Sequence, residues 1–193
     1  MITLRTERLI LRRWRYSDRE PYARLNADAR VTEFFPRPLS PAESDALIDR
    51  IEKHFRLHGF GRCAAELARD GCLIGSIGIT VPSFTAPFTP CIEIGWRLLP
   101  EHWGIGLATE GAGEVVRYAF EVLRLESLVA YTVPANVRSL RVIEKLGMAR
   151  DPAGDFDHPN IPDGHPLRRH VLYRLRRSDW LAAQRQRSKS PSA

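Results

Sequence analysis

Cysteine is scarce in this chain. Its 193 residues include three, Cys63, Cys72 and Cys91, with no Cys-x-x-Cys pair. An odd, scattered set argues against a disulfide framework and against a zinc site. A turn at Asp70-Gly71 would also hold Cys63 away from Cys72, so reduced, structural thiols are expected. Also missing is any apolar run near the roughly 20 residues that cross a bilayer. The first stretch, MITLRTERLILRRW, is basic but has no unbroken apolar segment. No signal peptide is read there, and a cytoplasmic protein without a membrane partner is expected. Repeats and a domain-splitting linker are absent too. The length suits one domain with a proper core.

Acid is short at one end only. The net charge is +6, yet residues 168–193 hold eight Lys/Arg against one acid, Asp179, and the first 167 are near neutral. There is no basic face across the whole fold. Only Tyr173 and Trp180 interleave with those arginines, so a nucleic-acid partner is not expected. A solvated helix end and tail is the reading of the C-terminus.

The patterning supplies the elements. LRTERLILRRW (4–14) reads as a first strand with Leu9 and Leu11 on one face. Ser17-Asp-Arg-Glu20 has the form of a capping box opening a helix to about residue 28. VTEFFPRPL is a proline-bounded loop. Ser40-Pro41-Ala-Glu43 starts a second helix, with Leu47, Ile48, Ile51 and Phe55 at helical spacing and Gly59 as its stop. GRCAAELARDGCLIGSIGITV (61–81) predicts a hairpin with a two-residue turn at Asp70-Gly71. PSFTAPFTP (82–90) is a loop and CIEIGWRLL (91–99) a strand. HWGIGLATEG (102–111) is a glycine loop entering a helix to about Leu123. ESLVAYTV (126–133) is a strand, NVRSLRVIEKLG (136–147) a short helix, and DPAGDFDHPNIPDGHP (151–166) a polar loop. RHVLYRL (169–175) is a last strand. Ser178 caps a final helix that frays over RSKSPSA (187–193). That order of elements predicts an α/β sandwich with a mixed sheet.

The glycine loop is built for an anion. A Walker loop needs a lysine that is missing here, and Gly104-Ile-Gly106-Leu-Ala-Thr109 ends in threonine where a dinucleotide fingerprint needs a third glycine. Gly104 and Gly106 still let backbone N–H groups turn inward. The helix start adds unpaired donors and a positive dipole end, which suits a pyrophosphate without lysine or metal. A bare strand-to-helix turn is the plain alternative. A second constellation follows the next strand. Asn136 and Ser139 stand one helical turn apart on one side of a helix start. Parallel strands 91–99 and 126–133 would bring both helix starts to the same sheet edge.

WGIGLATE at 103–110 followed by NVRSLRVIEKLGM at 136–148 resembles the Gcn5-related N-acetyltransferase (GNAT) superfamily. TERLILRRW and EIGWRLLPEHWG are similar to its RimJ/RimL-type branch, which modifies ribosomal-protein N-termini. The resemblance covers residues 1–177, leaving 178–193 as a C-terminal helix and basic tail. It implies a single α/β domain with a mixed, mostly antiparallel sheet flanked by helices and a V-shaped opening between two central parallel strands. It implies acetyl-CoA as cofactor. The backbone at Trp96 and Leu98 would pair with the pantetheine arm. Trp103, Gly104, Ile105, Gly106, Leu107 and Ala108 would wrap the pyrophosphate, with Thr109 close behind. Asn136 would hold the pantetheine or a bridging water, and Ser139 would reach the sulfur.

The implied reaction is acetyl transfer to a primary amine, on a small molecule or a protein N-terminus, by direct attack in a ternary complex. A backbone N–H near Trp96 would be the oxyanion donor. Ser139 is the candidate to protonate the thiolate, unless it only bonds its own helix backbone. Glu93 is the candidate general base through a water, unless it is a strand glutamate paired with an arginine. Where some relatives carry a catalytic glutamate, five residues before the asparagine, this chain has Tyr131. Where others carry a tyrosine acid, seven residues after it, this chain has Ile143. Tyr131, Asp155, Phe156, Asp157 and His158 are expected at the acceptor, with the acids of loop 151–166 attracting a cationic amine. A long structured turn is the alternative for that loop. The spacing of His158, His165 and His170 fits no standard metal site, and no metal is expected. A monomer or homodimer is expected. The competing class is a catalytically silent CoA-binding module.

Overall fold

The computed structural model describes residues 3–189. Its chain order opens with a short hairpin, β1 (Thr3–Arg5) and β2 (Leu9–Arg12), then α1 (Arg19–Ala27) and α2 (Pro41–His58). Strands β3 (Arg62–Leu67), β4 (Leu73–Thr80) and β5 (Glu93–Leu98) follow. Next come α3 (Leu107–Glu121), β6 (Ser127–Thr132), α4 (Val137–Lys145), β7 (Ala149–Arg150) and β8 (Phe156–Asp157). The chain closes with β9 (Arg169–Arg176) and α5 (Arg177–Lys189). The sheet order is β1-β2-β3-β4-β5-β6-β9-β7, with β8 also on β9. Every pairing is antiparallel except β5 with β6. The expected mixed, mostly antiparallel α/β sheet is therefore present, with nine strands and five α-helices among the described residues.

Helices cover both faces of the sheet. Successive side chains on β4 point opposite ways. The Ser76 hydroxyl lies 3.2 Å from the Tyr22 hydroxyl of α1, while Ile77 packs against Gly111 of α3. The apolar stripe of α2 buries Ile48, Ile51 and Phe55. Its start is the expected capping box. Ser40 accepts from the Glu43 N–H, the Glu43 carboxylate accepts from the Ser40 N–H, and Gly59 ends the helix at φ 77°. Cys63 is buried, Cys91 half-buried and Cys72 exposed, and all three are free thiols. Burial pushes the Cys63 thiol up to about 12 and Cys91 to about 11, which suits a structural role.

Several expected boundaries shift for identifiable reasons. The single strand over 4–14 is a hairpin, because Thr6 turns the chain. Its N–H donates to the Leu9 carbonyl and its hydroxyl accepts from the Leu9 N–H, both at 2.9 Å. Ser17 is exposed and caps nothing. Asp18 takes that place, accepting the Arg15 N–H at 2.7 Å while bound to buried Arg12. The β3–β4 turn spans residues 68–72 rather than two, closed by Leu67 N–H to the Cys72 carbonyl at 2.9 Å. Ser178 lies inside α5, which begins one residue earlier; its hydroxyl donates to Asp179. The frayed end expected over 187–193 lies outside the described residues beyond Lys189, up to which the helix continues. Trp180 fastens α5 to the core at 5.7 Å from Phe120.

Buried charge ties the first hairpin to the body. Arg12, Asp18 and Glu66 are all under a tenth exposed. Arg12 reaches Asp18 at 2.7 Å and Glu66 at 2.6 Å. Removing one partner strands the other charges in a dry site. Arg12→Ala is expected to lower unfolding free energy by about 3–5 kcal/mol, read from urea melts, whereas Arg24→Ala in an exposed helix pair should change it by under about 0.5 kcal/mol.

Candidate functional site

The site follows from a failure of two strands to stay together. β5 and β6 meet at one bridge, Glu93 with Val129, where the Val129 N–H reaches the Ile92 carbonyl at 2.9 Å. Beyond it the strands part. The alternation of the ladder turns the backbone groups of Ile94, Trp96 and Leu98 toward the gap. The Leu98 carbonyl there accepts the Trp103 indole N–H at 2.8 Å. A cleft of about 630 Å³ fills the fork, lined by Trp96, Leu98, Trp103, Gly104, Gly106, Leu107, Ala108, Thr109, Asn136 and Ser139 among others.

The glycine loop has the geometry its sequence suggested. Gly104 and Gly106 take φ of 76° and 88°, a region that favours glycine. Gly106 is the N-cap of α3 and no side chain caps that helix, so its first N–H groups and dipole point at the cleft. Arg141 and Lys145 also line the cleft, and neither has a carboxylate partner among the described residues. Open amides, a bare helix start and unpaired cations fit a long, phosphate-bearing thioester cofactor. Ile105 is 56% exposed and is not among the residues that line the cleft. Its carbonyl instead accepts from Arg8 at 2.9 Å. Arg8 also binds Glu110 at 2.6 Å, and Glu110 accepts from the Thr6 hydroxyl, so the TER run near the start of the chain clamps the loop and α3.

At α4, Asn136 is mainly a cap. Its Oδ1 accepts from the Ser139 N–H at 3.2 Å and its Nδ2 donates to the Thr132 hydroxyl at 3.0 Å. The Ser139 hydroxyl has no hydrogen-bond partner among the described residues and lines the cleft, so it is not spent on its own helix. Arg138, which sequence reading passed over, lies 4.6 Å from the Trp103 ring and bonds Glu33, joining α4 to the α1–α2 connection.

The other half of the cleft lies on the α1 face of the sheet. Glu93 is held by Arg62 at 2.9 Å, by the Tyr131 hydroxyl at 2.8 Å and by Thr80 at 3.4 Å, so the reading of a strand glutamate paired with an arginine holds. Arg62 crosses directly over Gly95, where a Cβ would meet its Nη2 at 2.4 Å. Burial and the adjacent Glu93 raise the Tyr131 pKa well above the ordinary phenol, which keeps it a donor. Loop 151–166 does wall this chamber, through His158, Asn160 and Ile161. Phe156 backs it, stacked on Phe84 at 5.8 Å and edge-on to Tyr131 at 5.3 Å.

Asp155 and Asp157, the acids of that loop expected at the acceptor, do not line the cleft. Asp155 is bound by Arg150 and accepts the Leu172 N–H at 3.0 Å, and Asp157 faces Arg169 and Arg168. Both are engaged by nearby arginines. His170, considered from sequence only as a metal ligand, is a chamber residue 5.2 Å from His158. Alternation along β9 placing it on the buried face with Leu172 was the available signal. Burial lowers both histidines' pKa, so both are neutral near pH 7. Among the described residues no cluster of His, Cys, Asp or Glu could hold a metal, and no helix is long and apolar enough to cross a membrane.

A sheet forked at one parallel pair, with a glycine loop and an uncapped helix at the fork, defines a protein that takes an extended anionic cofactor between its strands. Residues 8–149 match the acetyltransferase (GNAT) domain, and the chain belongs to that family. It is an acetyl-CoA-dependent N-acetyltransferase. The FsC-acetyl coenzyme A-N(2)-transacetylase of Aspergillus fumigatus is 30% identical over 95% of this chain and 80% of its own length. The acetyltransferase of Agrobacterium tumefaciens superposes with a TM-score of 0.73 at 31% identity, covering 91% of this chain and 94% of its own. The ribosomal-protein-S5-alanine acetyltransferase of Vibrio fischeri shares the fold, with a TM-score of 0.73 at 17% identity over 93% and 99%.

The Arg8 clamp has a pH signature. Burial opposes the Glu110 carboxylate, but donors from Thr6 and Arg8 outweigh it and hold its pKa below the ordinary 4.5. Its contribution is complete above that value and is lost as pH falls through the depressed one. Arg8→Ala is expected to lower stability by about 1 kcal/mol at pH 7 and to raise the acetyl-CoA KM severalfold. Thermal melts from pH 7 to 3 should show Glu110→Gln less acid-sensitive than the parent.

Proposed function

We propose that the protein transfers the acetyl group of acetyl-CoA to a primary amine by direct attack in a ternary complex. The observation that carries this is one continuous cleft. It runs from the glycine loop and α3 start, past the open backbone of β5, to a walled chamber at Glu93 and Tyr131. When bound, acetyl-CoA supplies an activated thioester. Its transfer breaks a C–S bond, forms a C–N bond, takes a proton from the amine and returns one to the thiolate.

The chain's residues divide those tasks. The Trp96 and Leu98 backbone orients the arm, and the Trp96 N–H polarises the carbonyl. Asn136 fixes α4, so that Ser139 presents a free hydroxyl to protonate the thiolate. Glu93 takes the amine's proton through a water. It has three donors, and a carboxylate offers about four acceptor positions. A free α-amine, with a pKa near 8, needs only modest help. A second base has its own support. The His170 Nδ1 lies 3.1 Å from the Arg168 carbonyl, and a carbonyl only accepts, so Nδ1 carries the proton and Nε2 is left basic.

The RimJ/RimL-type branch remains our reading of the outer motifs, supported by TERLILRRW at the start and by EIGWRLLPEHWG. It carries a protein N-terminus as one acceptor class beside small-molecule amines. The catalytic domain is taken as residues 1–177, with α5 and the tail appended, in a monomer or homodimer.

Thiol release from acetyl-CoA over a panel of amines and ribosomal-protein N-terminal peptides tests this reading. Ser139→Ala is expected to lower kcat about a hundredfold with the acetyl-CoA KM little changed. Asn136→Ala should raise that KM. Loss of turnover in Glu93→Gln but not His170→Gln assigns the base to Glu93, and the reverse assigns it to His170. Tight CoA binding with no turnover on any amine would instead make the protein a silent CoA-binding module.

A further inference from the structure

One cation in the acceptor half of the cleft has no counter-charge. Arg97 sits on β5, on the same sheet face as Glu93, and lines the cleft. Its Nη1 donates to Asn26 and its guanidinium lies 4.0 Å from the Phe35 ring centroid. Its Nε is buried with no hydrogen-bond partner. No carboxylate is within ion-pairing distance of it among the described residues, although twenty-one other pairs occupy most of the chain's arginines. A half-buried, unneutralised guanidinium with a buried, orphaned Nε is costly unless something offsets it.

The surroundings sharpen the point. Desolvation disfavours the Arg97 cation against a smaller opposing effect of Tyr22, and Arg62, which lies over Gly95 between Glu93 and Arg97 on that face, adds to the disfavour. Among the described residues the only carboxylate lining this chamber is Glu93, already bound by Arg62. Asp155 and Asp157, the acids that would have drawn a polycation, are committed to Arg150 and to Arg168 and Arg169. Among the described residues Arg62 and Arg97 thus have the single carboxylate of Glu93 between them, while Arg30 and Arg138, which also line the cleft, are paired with acids outside it. α3 stands on the opposite sheet face, since Ser76, paired with Arg97, meets α1 while its neighbour Ile77 meets α3. The body of that helix is therefore not what Arg97 faces.

We propose that Arg97 is an anion-binding subsite of the acceptor chamber, and that the acceptor is a primary amine carrying an anionic group, a carboxylate or a phosphate, in the same molecule. An incoming anion neutralises Arg97. A polyamine would bring positive charge to a site already in excess of it. The amine half of this proposal rests on the transfer reading above; the anion half does not.

The test uses matched probes and two readouts. Amino acids are compared with their amides, and O-phosphoethanolamine with ethanolamine and spermidine. Binding to the CoA-loaded protein is measured by calorimetry and turnover by thiol release. The anionic member of a pair is expected to bind at least about tenfold tighter, since truncating one side of a buried charge pair loses at least that much. Its kcat/KM should rise in parallel. Arg97→Gln is expected to bring the anionic-to-neutral ratio near one, and Arg97→Lys to keep most of it. Which pair discriminates separates carboxylate from phosphate. Equal binding of both members by the parent, a ratio that survives Arg97→Gln, or preference for spermidine would overturn the subsite. If Arg97→Gln does not fold, the parent's ratio and Arg97→Lys decide. Discrimination in binding without any turnover would keep the subsite and overturn the transfer reading; turnover of neutral amines alone would do the opposite.

Discussion

Everything about this site depends on β5 and β6 pairing at a single point. A parallel pair normally satisfies its backbone along its whole length. Here the ladder stops after Glu93 and Val129, and a stretch of β5 is left with polar groups facing a gap. Buried backbone donors and acceptors without partners are unfavourable. The protein satisfies one of them itself, with the Trp103 indole on the Leu98 carbonyl. The rest define the line along which an amide-bearing chain can lie. The fork is thus a vacancy in the sheet shaped like one more extended strand.

A gap of that kind must be held open. On the outer side, α3 and its glycine loop are pinned by Arg8 and Thr6, which reach across from the β1–β2 turn to Glu110 and the Ile105 carbonyl. On the other, α4 is pinned by the Asn136 cap and by Arg138 lying against Trp103. The aromatic group of Phe84, Phe88, Tyr131 and Phe156 closes the far end. Two proline-rich loops that look structureless in sequence supply three of those rings. The arrangement separates an anion-friendly half, made of backbone amides, from an acceptor half made of arginine, histidine and aromatic side chains.

Local signals were readable where the physics is local. The Ser40–Glu43 capping box, the Gly59 stop and the positive-φ glycines at 104 and 106 need only their neighbours in the chain, and each stands where expected. Competition was not readable. Ser17 looked like a cap, but Asp18 takes the position because Arg12, already committed to Glu66, needs a second carboxylate. Asp155 and Asp157 looked like acceptor ligands and are engaged by arginines up to 12 positions away in sequence. An arginine partner was expected as one alternative for Glu93, but which arginine, Arg62 from another strand, was not readable.

The sequence by itself determined most of the elements, the mixed sheet, the glycine-rich helix start and the family, because these follow from periodicity, caps and short motifs, but not the split of the first strand or the short strands β7 and β8. It also placed Trp96, Leu98, Trp103 and Ser139 on the cleft through those motifs. Only the tertiary structure decided which charges are left over. Whether an arginine or a carboxylate is available depends on which opposite charge packs beside it, and that partner is chosen by strand register and helix docking. Arg97 and His170 acquire their meaning in this way. Nothing adjacent to Arg97 in the chain marks it as unpaired; the absence of a carboxylate around it is a property of the folded chamber alone.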